Sequence, residues 1–465
     1  MTGRLRQRVG GPWWPSATRR AAVRRGAWLA AALATAPIGA ACAPGGGPGQ
    51  PAGGGKPAGR VAYMDWRLRA GNPIDEAFFK EVREGFLAKY PEVRWEQLQV
   101  DWGKTYLEKL ISSAAADDLP DAVFSSIIWA RDLWEQGLLE DLGPYIARTP
   151  SVAPNQYVEP ALFYNSWKGK TFGIPHVGPD FRVIYVNRKL FAEAGIDASD
   201  EALARWTWAD MTTNHQKLVR REGERVTRGG VWFSGGTNLE DFTTFLYANG
   251  GQFYNKDRNG VAFNNTQGQQ VMDGFVDFRS KFRMHEGPQG LSALEAFPQG
   301  AAAAVVMGSW NQRDVLGNPL SANLEYTMMN IPRGPSGKQQ ATTTWTNMTV
   351  LPKGSKNKDS AWAFIEYYSS LPLALRQFEI WKQGSPRKDF LDSREWKEAS
   401  TRIPSYVPWR RIAESGGPYA YIKNAEMGEQ LQPLFTDVVV NATRAPRDAL
   451  AEAERQANLI LSQVR

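Results

Sequence analysis

Cysteine is nearly missing from this 465-residue chain. Cys42 is the only one, so no disulfide can form within the chain and its stability must come from buried cores. Histidine is almost as scarce. His176, His215 and His285 lie far apart in sequence, which gives no metal-ligand spacing. The chain has no GxxxxGK(S/T) phosphate loop, no GxGxxG after a strand, no HExxH helix and no GxSxG elbow. No catalytic residue, no metal and no cofactor is therefore expected. Acid pairs are abundant, so a hydrolase working with two carboxylates stays open as an alternative. A long membrane-spanning run is also lacking. The uncharged segment 26–41 is shorter than the roughly 20 residues that a spanning helix needs.

That short segment belongs to an N-terminus unlike the rest. Residues 1–25 hold Arg4, Arg6, Arg8, Arg19, Arg20, Arg24 and Arg25 and no acid. The apolar stretch GAWLAAALATAPIGAA follows, then Cys42, then a run of almost only Gly, Pro and Ala up to residue 60. A basic segment, a short apolar segment and small residues before a cleavage point make a secretory signal. Ala40-Ala41-Cys42 resembles a bacterial lipobox, whose cysteine is acylated after cleavage. We expect 1–41 to be a signal peptide and 42–60 a lipid-anchored flexible linker. Export then puts the chain in the cell envelope, outside the cytoplasm. The arginines also settle the charge. Of 55 Lys+Arg, seven fall in 1–41, leaving 48 against 48 Asp+Glu. The mature chain is neutral, and its basic isoelectric point is no argument for nucleic acid.

From Val61 onward, strands and helices alternate. VAYMDW (61–66) reads as a buried strand, with a helix at 74–88 carrying Phe78, Phe79, Val82 and Phe86 at helical spacing. DAVFS (121–125), FRVIYVN (181–187), GVWFS (230–234) and AAAAVVMG (301–308) read as further strands. Thr207-Trp208-Ala209-Asp210 is a capping box opening a helix, and 445–464 is an amphipathic helix with Pro446 near its start. This alternation implies α/β layers.

What the chain has in plenty is tryptophan. There are 18, and aromatics make up 12% of the residues, more than cores alone normally require. Trp66, beside Asp65, ends the first strand. Trp129 follows the strand 121–125, Trp232 leads into Ser234-Gly235-Gly236, Trp310 closes MGSW, and Trp345 lies in TTTWTN. Trp409 and Tyr419 fall in a segment rich in Pro and Gly. In open α/β sheets, ligands sit beyond the carboxyl ends of the strands. An indole face matches the C–H face of a sugar ring and loses little entropy on binding. Asp180, between Gly173-Ile174-Pro175 and the strand 181–187, reads equally as a turn residue or as a ligand contact.

The order of these segments resembles bacterial extracellular solute-binding proteins of family 1, the maltose-binding-like partners of ABC sugar importers. The resemblance is carried by FLAKYPEVRWE (86–96), LPDAVF (119–124), LWEQGLLEDLGPYI (133–146), GKTFGIP (169–175), VIYVNRKLFAEAGID (183–197), TWADM (207–211), AFPQGAAAAVVMGSW (296–310), LPKGSKNKDSAWAFIEYY (351–368) and GSPRKDF (384–390). It implies a two-lobed α/β periplasmic-binding-protein fold of type II, with lobes joined by hinge strands and a ligand cleft between them. It places lobe one at 61–178 plus 342–398 and lobe two at 179–341 plus 399–465. It implies a carbohydrate ligand, ABC permease subunits as partners and a monomer. The expected ligand contacts are Asp65, Trp66, Trp129, Asp180, Trp232, Trp310, Trp345, Trp409 and Tyr419. Thr346-Asn347 stands where relatives often have paired glycines, and both it and the segment 398–420 are expected to border the pocket. A binding protein for a polyamine or a phosphorylated polyol is the other alternative.

Overall fold

The computed structural model describes residues 56–463 apart from 70, 102–103, 235–237, 403–405, 407–408, 410–411, 413–416 and 419–423. Cys42 and Tyr419 lie outside the described residues. The strands are β1 (Gly59–Asp65), β2 (Val93–Gln99), β3 (Ala122–Ser125), the two-residue pair β4 (Ser166–Trp167) and β5 (Lys170–Thr171), β6 (Ile174–Asn187), β7 (Arg220–Glu222), β8 (Arg225–Trp232), β9 (Ala302–Gly308), β10 (Tyr326–Met329), β11 (Thr343–Val350) and β12 (Gly417–Pro418). Apart from β4 and β5, they form one sheet in the order β2-β1-β3-β11-β6-β9-β8-β7, with β10 on β6 and β12 on β11.

Pairing direction divides this sheet into two βα-built halves. β1 runs parallel to β2 and to β3, and β8 runs parallel to β9. Parallel strands covered on both faces read as unbroken apolar runs, as in Val61–Met64 of β1 and all seven residues of β9, every one buried. The antiparallel pair β6 and β11 joins the halves. β6 holds β11 along Ile174–Phe181, then turns to β9 along Arg182–Val186, while β10 lies on its other edge. Both strands are almost wholly buried.

The sequence pattern starts this strand at 181, yet it begins seven residues earlier, at Ile174. Pro175 and Pro179 read as strand breakers because proline donates no ladder hydrogen bond. Here the ladder is irregular at that place, with register shifts on either side of Asn347. A bulge of this kind leaves a residue unpaired and re-aims its neighbours.

Local chemistry explains the helices. Asn72 caps the helix Pro73–Lys89 by accepting from the Ile74 and Asp75 amides at 3.1 Å. The buried side of this helix, Phe78, Phe79, Val82 and Phe86, packs with Tyr63 and Phe364 into one apolar cluster under the first half. A second cluster gathers Phe181, Tyr185, Trp232, Phe297, Trp396 and Trp409. The largest runs through both halves and takes in the C-terminal helix Pro446–Ser462. The expected capping box is present, with Asp210 N donating to Thr207 Oγ1 at 3.2 Å and Thr207 N to Asp210 Oδ2 at 2.8 Å. Among the described residues, no helix is long and apolar enough to cross a membrane.

Candidate functional site

A cavity of ≈ 390 Å³ lies where the two halves of the sheet meet. Its first wall comes from beyond the carboxyl ends of two parallel strands, with Trp66 and Arg67 after β1 and Ser126 and Ile127 after β3. Trp310, in the turn after β9, faces it from the second half. The joining strands supply the floor through Val177 and Asp180 of β6 and Trp345 and Asn347 of β11. Glu240 and Gln383 complete the wall. Ligands in open α/β sheets gather at this end of the strands because loops there can vary without disturbing the ladder.

The indoles are held in place by what lies behind them. Trp66 packs on Phe124 with ring centres 4.5 Å apart, and edge-on against Tyr106 at 5.1 Å and Trp129 at 5.8 Å. Trp310 and Trp345 meet at 5.0 Å with their planes inclined by 60°. The Trp310 ring folds back over Gly308, where a Cβ would stand 2.2 Å from the indole. Gly178 is required for a second reason. Its φ of +121° lies in the left-handed region, and a Cβ there would come within 2.7 Å of the Asp180 amide.

Two buried charges reach the cavity in different states. Arg67 donates to both oxygens of Asp65, the closest contact being 2.6 Å, and also to the Tyr368 hydroxyl at 2.7 Å and Gln377 Oε1 at 3.0 Å. Its guanidinium lies 3.5 Å over the Phe124 ring. Burial alone would pull Arg67 down, but the adjacent Asp65 outweighs it and holds the cation above its ordinary range. His176, stacked on Tyr368 at 4.1 Å and bonded to Gln377, is pushed well below the usual imidazole range by burial and then by the Arg67 charge.

Asp180 is only 5% exposed. Ser309 Oγ donates to it at 3.3 Å and Asn347 Nδ2 at 3.5 Å. Burial raises its carboxyl to about 7, against the lowering influence of Ser309 and Arg67. Glu240, by contrast, pairs with Arg182 at 3.3 Å.

The structure therefore brings Trp66, Asp180, Trp310 and Trp345 to one cavity. It puts the other described candidates elsewhere. Trp129 stands behind Trp66, 3% exposed and stacked on Tyr106 at 5.3 Å. Trp232 is enclosed against Gly287 and donates from Nε1 to the His285 carbonyl at 3.2 Å. Trp409, 4% exposed, packs on Phe181 and Trp396. Both belong to the apolar cluster of the second half, where a large ring buries the most area. Asp65 is fully enclosed, and its oxygens are taken up by Tyr63 at 2.6 Å and by Arg67. It pairs with Arg67 and does not line the cavity. Sequence reasoning missed Arg67, Phe124, Ser126, Glu240 and Gln383. The only signal was the Asp65-Trp66-Arg67 spacing, which puts an acid and a base on one side of the turn after a strand. Among the described residues, no group of three or more His, Cys, Asp or Glu side chains is placed to hold a metal ion.

A divided sheet crossed by two joining strands, with an aromatic cavity at the junction, defines a two-lobed periplasmic-binding-protein fold. The fold matches that of the GacH receptor of Streptomyces glaucescens, which was solved unliganded and with acarbose. That match has a TM-score of 0.71 at 19% identity, and covers 87% of this chain and 99% of that one. It also matches a solute-binding protein from Thermotoga lettingae bound with alpha-D-tagatose (TM-score 0.68, 21% identity, 88% and 100% covered). The MalE sugar-binding protein of Xanthomonas citri matches as well (TM-score 0.70, 20% identity, 87% and 98% covered). No curated protein sequence matches significantly. The family model for bacterial extracellular solute-binding proteins matches residues 68–371, and the chain belongs to that family. An extracytoplasmic location follows from this membership.

Proposed function

We propose that the protein captures a carbohydrate in this cavity and passes it, unaltered, to the permease of an ATP-driven importer, tethered to the membrane through an acylated Cys42. The observation that carries the reading is the meeting of Trp66, Trp310 and Trp345 with polar groups around one half-open cavity. Indole faces take the C–H faces of sugar rings. Asp180, Asn347 and Gln383 accept from or donate to hydroxyls. A volume of ≈ 390 Å³ falls within the range of small-molecule sites. Fold relatives bound to acarbose and to alpha-D-tagatose support a carbohydrate over other solutes.

In this reading Trp66 and Trp345 act from lobe one (61–178 and 342–398), and Asp180 and Trp310 from lobe two (179–341 and 399–465). The lobes close about β6 and β11, so that water leaves the contacts and unmatched sugars leave buried groups unpaired. Titration calorimetry against a panel of mono- and oligosaccharides tests this. Trp310→Ala is expected to weaken the best ligand at least tenfold, about 1.4 kcal/mol or more. Unchanged affinity in that variant would reject the cavity as the binding site.

A further inference from the structure

The charges around the cavity are unequally compensated. Arg67 is matched by Asp65 at 2.6 Å, and Glu240 shares Arg182 with Asp241, at 3.3 Å and 2.8 Å. Asp180 makes no ion pair among the described residues. Its side-chain partners among the described residues are Ser309 at 3.3 Å, long beside the 2.5–2.7 Å usual for a hydroxyl on a carboxylate, and Asn347 at 3.5 Å, the outer limit of a hydrogen bond. A carboxylate so enclosed and so loosely held is costly when charged, and Ser309 and the Arg67 charge relieve it only in part. A solute can supply the rest. A neutral hydroxyl can donate to Asp180 but leaves its charge uncancelled, whereas an ammonium does both. Trp310 and Trp345 line the same space, and indole faces attract cations.

We propose that the solute is a sugar bearing a protonated amine, and that its ammonium pairs with Asp180 beside Trp310 and Trp345. This rests on the carbohydrate reading above and narrows it to a substrate class. Arg67, Glu240 and Tyr185 are the other charged or titratable groups about Asp180. Arg67 stays cationic and Tyr185 neutral across the acid-to-neutral range, because both are shifted upward, and Glu240 is tied to Arg182.

The test is titration calorimetry on the full-length protein with matched sets. Glucosamine, galactosamine and the β-1,4 glucosamine disaccharide are each compared with the neutral parent and the N-acetyl form, with spermidine as a cation lacking a sugar ring. At least one amine is expected to bind tenfold or more tightly than its parent and its N-acetyl form at pH 7.5. Its affinity should fall about 20-fold on going to pH 5.5, the loss of ionised carboxylate for a group titrating near 7. Asp180→Asn should bring the amine-to-parent ratio to about one. If neutral parents bind as tightly as every amine, the inference is overturned and the carbohydrate reading survives. If no sugar of either kind binds, or spermidine alone does, the carbohydrate reading fails and the inference fails with it. Should Asp180→Asn not fold, the amine-to-parent ratios and their pH dependence in the unaltered protein still decide.

Discussion

Arg67 and Asp180 line the same cavity, and they were built by opposite means. Arg67 spends its donors on Asp65, Tyr368 and Gln377 and lays its flat face on Phe124. Among the described residues, Asp180 has two long side-chain hydrogen bonds and no ion pair. The first arrangement is finished within the protein itself and forms one wall of the cavity. The second holds an electrostatic cost that a bound molecule can lower. A binding protein needs both. A wall without strain gives a defined shape but little selectivity, and an under-compensated charge without a firm wall relaxes by letting in water. Stability and recognition then fall to different groups: the first half's charge cluster holds the fold together, and the carboxylate on β6 is the one proposed to meet the solute.

The largest effect should come from breaking the finished side. Arg67→Ala strands Asp65, a fully enclosed carboxylate, without its cation. Removing one partner of a buried pair costs about 3–5 kcal/mol, read as a lower urea midpoint at unchanged slope. The double change Asp65→Asn with Arg67→Met should recover part of that loss, since it leaves no charge unpaired. A single-variant loss under about 1 kcal/mol would show that the cluster is slack and would erase the contrast with Asp180.

Next in size is a pH-dependent gain from removing the under-compensated charge. Asp180 titrates near 7 in the folded protein and near 4 in an unfolded chain. Between those values the native state keeps a proton that the unfolded state gives up, so stability falls as pH rises through this window and is flat above it. Asp180→Asn lacks that slope. It should match the wild type below pH 4 and exceed it by about 4 kcal/mol at pH 8. His176 slopes the other way: held below its ordinary value, it loses stability as pH falls through about 6.5. The measurement is therefore the difference between variant and wild type at each pH, in which the His176 contribution cancels. Equal stabilities at pH 8 would mean that Asp180 is as well compensated as Arg67.

How much of this was legible in the sequence follows from which contacts are local. The alternation of strands and helices was readable because each element carries its own period, and the cap at Thr207 because its partner is three residues away. The early part of β6 was not, since Pro175 and Pro179 carry the marks of a turn and only the irregular pairing with β11 makes a strand of them. Within the site, Trp66 and Trp310 were visible as large rings at strand ends and Trp345 as one in a polar run. Trp129, Trp232 and Trp409 share that local setting but lie in interior packing, because a strand's end does not say which neighbour comes to cover it. Asp65 misled for the same reason. Its partner Arg67 is two residues on, but Tyr368, which also contacts it, is 303 residues away, and nothing near Asp65 announces that its oxygens are already taken.

The smallest effect gives the finest test of the comparison. Asn347 is half-buried in β11, and its amide reaches Asp180 Oδ2 at 3.5 Å, the outer limit of a hydrogen bond. A contact that long contributes little to folding, so Asn347→Ala should change the unfolding free energy by less than about 0.5 kcal/mol. Its effect should show instead in solute affinity, since Asn347 lines the cavity and can follow a bound molecule inward. A stability loss above about 1 kcal/mol, with affinity untouched, would mean that Asn347 holds Asp180 firmly in the unliganded protein. The carboxylate would then be a second finished wall, and the solute would have no charge left to compensate.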